Sequence, residues 1–152
     1  MIETERCNIR SFCKEDASAL FRILSNPSVM KYIEEPFTME QTQQFIEEAG
    51  LCEQPLVYAL ELKENHLLIG HVIYHSYEED AYEIGWIIDE KYWGQGIADE
   101  ITKSLILHAK KTGIKSLIIE CDPKQSTTKH IAEKNNFERI SEEPLMVYML
   151  QL

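Results

Sequence analysis

The chain has 152 residues, 44% hydrophobic and 27% charged, enough for one core, so one domain spanning residues 1–152 is expected. Fifteen Lys and Arg stand against 26 Asp and Glu, a net charge of -11. That balance argues against nucleic acid as the main partner, because phosphate contacts need clustered cations, and it is compatible with amine-bearing partners.

The N-terminal "MIETERCNIR" is charged from its third residue and has no signal-peptide core, so a cytoplasmic location is expected. "CNIRSF" alternates and predicts a first strand. Ala17, Leu20, Phe21 and Leu24 follow helical spacing and stop before "SNPS". A second helix is expected from Thr38, where "TMEQ" resembles a capping box, to Gly50. "LVYALELK", "LLIGHVIYHS" and "AYEIGWIID" then follow with turns at Glu64-Asn65 and "YEED", which requires antiparallel neighbours. A helix from about Ile97 to Thr112 repeats Ile97, Ile101 and Leu105, with Gly113 as its cap. "SLIIEC" reads as a strand buried on both faces. A short helix over Thr128 to Asn135 and the strands "FERIS" and "LMVYML" complete the chain. The expected order is β-α-α-β-β-β-α-β-α-β-β, a mixed α+β sheet, mostly antiparallel, with one parallel pair flanking the long helix. No run of roughly 18 apolar residues occurs, so no membrane partner is expected.

"YWGQGIADE", Tyr92 to Glu100, is the stretch that carries chemistry. A Walker A loop needs Lys-Ser/Thr after its second glycine, which is absent. A dinucleotide fingerprint needs glycine at position 99, which is Asp99. A third reading has Gly94, Gly96 and the small Ala98 leave backbone N–H groups open to a pyrophosphate at a helix start. Asp99 and Glu100 suit a helix N-terminus whether or not a ligand binds, so the turn alone leaves a plain structural role open.

"AYEIGWIIDEKYWGQGIADE" resembles motif A of the GNAT acyl-CoA N-acyltransferases, in the branch resembling RimJ/RimL, with Trp93 in place of the usual Gln/Arg. "TERCNIRSFCKEDASALFRILSNPSVMKYI" and "CDPKQSTTKHIAEKNNFE" resemble that branch's opening and ending. The resemblance implies a GNAT-like fold with one parallel splayed strand pair. It implies acetyl-CoA as cosubstrate and transfer of the acetyl group to a primary amine, of a small molecule or a protein N-terminus, by direct attack in a ternary complex. It also implies a ligand-binding set of Ile87, Ile88, Asp89, Trp93, Gly94, Gln95, Gly96, Ile97, Ala98, Asp99, Gln125 and Thr128. The amides of 94–98 would hold pyrophosphate, the strand near Ile87–Asp89 the pantetheine arm, and an N–H at Ile87 or Ile88 the thioester oxygen. Gln125 and Thr128 stand where the branch has Asn and Ser, which alters their reach toward the arm and the thiol.

Glu83 is the candidate base, alternating onto the face of Gly85 and Ile87; an exposed strand acid without a role is the competing reading. The common family Tyr is replaced by Ala132, leaving Thr128, Tyr148 or water to protonate the departing thiolate. No metal is expected: His71 and His75 share a strand face but lie ~13 Å apart. The four cysteines form no CxxC pair and read as reduced, mostly buried thiols, with Cys121 a core residue. Glu34-Glu35 and Glu47-Glu48 lie in segments that would rim the acceptor pocket. A monomer or homodimer is expected. The alternative is a non-catalytic acyl-CoA-binding or sensing module, motivated by the missing Tyr and by Gln125 and Thr128.

Overall fold

A computed structural model describes residues 1–152. Eight strands form one sheet: β1 (Ile2–Glu3), β2 (Cys7–Arg10), β3 (Val57–Leu62), β4 (Leu68–Glu78), β5 (Ala81–Ile88), β6 (Ser116–Cys121), β7 (Glu138–Ser141) and β8 (Met146–Gln151). Their order across the sheet is β1-β2-β3-β4-β5-β6-β8-β7. Only β5 and β6 are parallel, joined by helix α4 (Ile97–Lys111). This is the mixed GNAT-like architecture expected from the sequence. Helices α1 (Ala17–Leu24), α2 (Pro27–Met30), α3 (Met39–Phe45) and α5 (Ser126–Lys134) complete it. No helix is long and apolar enough to cross a membrane.

Three local features go beyond the expected elements. Two residues of β1 pair with β2 as a hairpin ahead of the first predicted strand. The segment "SNPS", expected only to end a helix, begins a four-residue one, because the Asn26 side chain accepts from the Ser28 N–H and Pro27 occupies the first turn. Thr38 and Gln41 form the reciprocal capping box that their spacing predicts, and the helix then widens into a π-turn over Ile46–Gly50.

Both sheet faces are covered, which is why Leu117, Ile118 and Ile119 of β6 are consecutive apolar residues, all buried. On one face Leu60, Val72, Ile84, Leu117 and Tyr148 pack with Ile97, Ile101, Leu105 and Ala109 of α4 and Ala132 of α5. On the other, Val57, Ala59, Leu68 and Ile87 pack with Leu20, Ile23 and Leu24 of α1, Met30 of α2 and Ile46. Each such side chain contributes roughly 1.5–3 kcal/mol by leaving water. All four cysteines are free, but only Cys7 and Cys121 are buried; Cys13 is exposed and Cys52 half-buried, because both lie in turns rather than on the sheet.

Candidate functional site

The site grows from the place where β5 ends. A short turn over Glu90–Tyr92 follows the strand, closed by Asp89, whose side chain accepts from the Lys91 N–H. Gly94 (φ +71°) and Gly96 (φ +79°) then adopt left-handed conformations that a side chain resists, and Gly96 caps α4. None of the six N–H groups from Gly94 to Asp99 donates to the protein. Together with the positive end of the α4 dipole they form a ready site for an anion such as a diphosphate.

The side chains of this stretch do different work from the backbone. Ile97 is buried and anchors the helix start. Asp99 cannot turn toward a ligand, which corrects its place among the binding side chains: it is held by Lys103 (2.7 Å), Asn135 (2.8 Å) and Lys134 (3.1 Å), fastening α4 to the end of α5. Burial opposes its ionisation, but these three donors hold its carboxyl far below the usual range. Only its N–H joins the cradle. Trp93 is 51% exposed and its indole N–H donates to the Ile88 carbonyl at 2.8 Å, pinning the turn to the strand end. The Gln95 side chain donates to the Lys91 carbonyl.

Two residues outside the expected set hold the turn from behind. Arg6, between β1 and β2, donates to the Gln95 carbonyl at 2.9 Å and to Glu100 at 2.8 Å, and Thr4 also donates to Glu100. Burial pushes Glu100 up, yet the hydrogen bonds from Thr4 and Arg6 outweigh it and lower its pKa. The signal was present in "TERCNIR", but no local rule links it to a turn about 90 residues on.

Below the cradle the parallel strands part. β5 pairs with β6 only at Ala81↔Ser116, Tyr82↔Leu117 and Glu83↔Ile118, and beyond Glu83 it has no β6 partner. The Asp89 N–H donates to Ile69 of β4 at 2.8 Å, and the Ile87 carbonyl faces Gly70 of β4. Backbone groups alternate along an antiparallel ladder, so Trp86 and Ile88 turn theirs toward the gap. The expected strand contacts are therefore corrected. Asp89 and Ile87 are committed to β4, and the Ile88 N–H and the backbone of Trp86 are the groups that face the gap. Register decides this, and it is not legible from the residues.

Glu83 sits where the strands fork. It is half-buried and pairs across β4 and β5 with His75, Nε2 to Oε2 at 3.2 Å. Burial pushes its carboxyl up; the charge of His75 lowers it and that of Glu120 raises it, with a net upward shift. Glu120 accepts from the Tyr77 hydroxyl at 2.8 Å. His71, on the same face of β4, is buried against Phe45, with its Nδ1 unpartnered and its pKa lowered by burial to about 4.

The residues expected near the leaving sulfur differ in what they have left to offer. Thr128 lies half-buried in the first turn of α5, its hydroxyl making no hydrogen bond within the protein. The Gln125 side-chain Oε1 accepts from the Asp122 N–H at 2.8 Å, so that oxygen closes a turn and only its NH2 is free for a ligand. Tyr148 is 0% exposed and its hydroxyl donates to Glu133 at 3.2 Å, with burial raising its pKa first and Glu133 second. An enclosed phenol with its proton committed is a core residue, which corrects its candidacy as the acid. Ala132 is also fully buried. A cavity of about 420 Å³ beside the end of β6 is lined by Pro27 to Pro36 segments and Asp122, and it includes Glu34 and Glu35. Glu47 lies in a separate recess with Lys14 and Glu40.

A family model described as "Acetyltransferase (GNAT) domain" matches residues 6–138. The uncharacterized N-acetyltransferase YnaD of Bacillus subtilis (strain 168) is 29% identical over 141 residues, covering 91% of this chain and 82% of YnaD. Among solved structures, a GNAT-family acetyltransferase from Bacillus anthracis superposes with a TM-score of 0.88 at 27% identity, over 99% of this chain and 97% of the other. RimL, a ribosomal L7/L12 alpha-N-protein acetyltransferase in complex with coenzyme A, has a TM-score of 0.84 at 19% identity, over 98% and 96% of the two chains. At that identity the likeness to RimL is one of fold.

Proposed function

The chain belongs to the GNAT acetyltransferase family, and on that premise we propose that it moves an acetyl group from acetyl-CoA to a primary amine by direct attack in a ternary complex. Two observations carry this reading: six unpaired amides, Gly94 to Asp99, follow the end of β5, and the pairing of β5 with β6 stops at Glu83, which therefore stands at the strand fork. The amides suit the pyrophosphate, and the Trp86 backbone with the Ile88 N–H suits the amide-bearing pantetheine arm. The Ile88 N–H is the candidate donor to the thioester oxygen. Residues 1–152 would act as one catalytic domain, in the cytoplasm where acetyl-CoA is made and used. The opening "TERCNIR" and the closing "EKNNFE" support a place in the RimJ/RimL-like branch.

In this reading Glu83 takes a proton from the incoming ammonium, a step of ~10²–10⁴-fold value. Burial and Glu120, by raising its carboxyl, move it toward the working pH of such a base. The amine then attacks the carbonyl, and the C–S bond breaks with its electron pair on sulfur. Water, or Thr128 through its free hydroxyl, returns a proton to the thiolate.

Calorimetric titration with acetyl-CoA tests the cradle: micromolar binding is expected, and no heat at high micromolar ligand would overturn the family function for this chain. Thiol release over a panel of amines and peptide N-termini tests transfer. A second reading, an acyl-CoA-binding module without transfer, draws on the buried Ala132 and the enclosed Tyr148, which leave the thiolate without a side-chain acid stronger than Thr128. Binding without thiol release on every acceptor would favour it.

A further inference from the structure

Glu83 is not an isolated carboxylate. His75 lies directly opposite it in the β4–β5 ladder, with 3.2 Å between Nε2 and Oε2, and the other ring nitrogen, Nδ1, is 2.9 Å from the Ser76 carbonyl. A carbonyl oxygen only accepts, so Nδ1 must carry a hydrogen. A neutral imidazole would then present a bare lone pair to a carboxylate oxygen, two acceptors in contact. The arrangement is attractive only if a further proton lies between them. Turning the ring over would set carbons against both oxygens and lose both contacts, so this orientation is the favourable one. His75 and Glu83 therefore share one proton beyond a neutral imidazole and a carboxylate.

We propose that His75 is the positioning residue and proton relay of Glu83: it aims the carboxylate at the strand fork and carries its proton out to solvent. This rests on the reading of Glu83 as the base. His75 and Glu83 side chains are 22% and 20% exposed, so the pair touches both the interior and water. The groups facing it are Tyr77 of β4 and Glu120 of β6, whose carboxylate is partly committed to the Tyr77 hydroxyl. No Lys or Arg bonds Glu83, so the imidazole is its one side-chain partner.

The protons balance. The shared proton first leaves through the imidazole to water. Glu83 then takes one proton from the ammonium; nitrogen bonds to the acetyl carbon and the C–S electron pair leaves on sulfur. A second N–H proton ends on that sulfur through water. The first stays between Glu83 and His75, which restores the pair, so each turnover releases one proton through the imidazole.

The experiment uses the intact chain with acetyl-CoA and whichever amine releases thiol most readily. The acidic limb of kcat against pH is expected to report loss of the shared proton. In His75→Gln, which donates a hydrogen bond but carries no proton, the limb should move acidward by at least one pH unit, and kcat should fall several-fold with the KM for acetyl-CoA unchanged. A downfield imidazole proton resonance, present in the wild type and lost in Glu83→Gln, should report the shared proton without turnover. If Glu83→Gln abolishes turnover while His75→Gln leaves the limb and kcat in place, the relay is overturned and the base stands. If Glu83→Gln keeps full kcat, the base reading falls and the relay with it. Thermal melts and acetyl-CoA affinity establish that each variant is folded; if His75→Gln is not, His75→Asn replaces it.

Discussion

The guanidinium of Arg6 is bonded to the carbonyl of Gln95 at 2.9 Å, so the N-terminal hairpin grips the turn that carries the free amides. The turn itself has little packing: Gly94, Gln95 and Gly96 are all exposed. Its shape depends on two left-handed glycines and on this bond from behind, reinforced by the contacts of Arg6 and Thr4 with Glu100.

Arg6→Ala should therefore loosen the cradle more than the fold. Arg6 is 42% exposed and its ion pair is partly screened, so the loss of stability should stay near ~1 kcal/mol. Acetyl-CoA affinity should fall several-fold in calorimetry, with kcat at saturation little changed.

Gly96→Val tests the cradle directly. A β-branched residue in the left-handed region costs roughly 1–2 kcal/mol and reshapes the first amides of α4. Affinity for acetyl-CoA should drop at least tenfold. Unaltered binding in a folded variant would mean the pyrophosphate sits elsewhere.

Ile101 is 0% exposed in the centre of the α4 core. Ile101→Ala should destabilise by roughly 2–5 kcal/mol in denaturant melts, because the removed atoms leave a cavity that the sheet and helix cannot close. A loss below ~1 kcal/mol would contradict the packing described for this face.

Acid should weaken the fold in two windows. Buried His71 resists protonation down to about 4, against an ordinary value of 6.5, so between these pH values the unfolded chain binds the extra proton. Stability present above the higher value is lost as pH falls toward the lower one, on the order of 3 kcal/mol. His71→Leu should flatten that window. Asp16, Asp99 and Glu100, all held below their usual values, act below it: their contribution is present above the ordinary carboxylate range and disappears as pH falls through their lowered values. Equilibrium unfolding at stepped pH separates the two.

Periodicity and turn chemistry determined much of this protein. The capping box at Thr38 and Gln41, the antiparallel run from β3 to β5 and the crossover through α4 are set by neighbours within a few residues, so they are legible in the chain. The glycine turn is equally local, since left-handed φ angles at Gly94 and Gly96 call for that residue type. Tertiary structure alone decided what each functional group touches. Strand register turned the Trp86 and Ile88 backbone to the gap and committed Asp89 to β4. Packing enclosed Tyr148, and pairings between distant segments spent Asp99 on α5 and set His75 against Glu83. Hydrogen bonds and burial depend on which surfaces meet, and those meetings join residues whose separation in sequence carries no local signal.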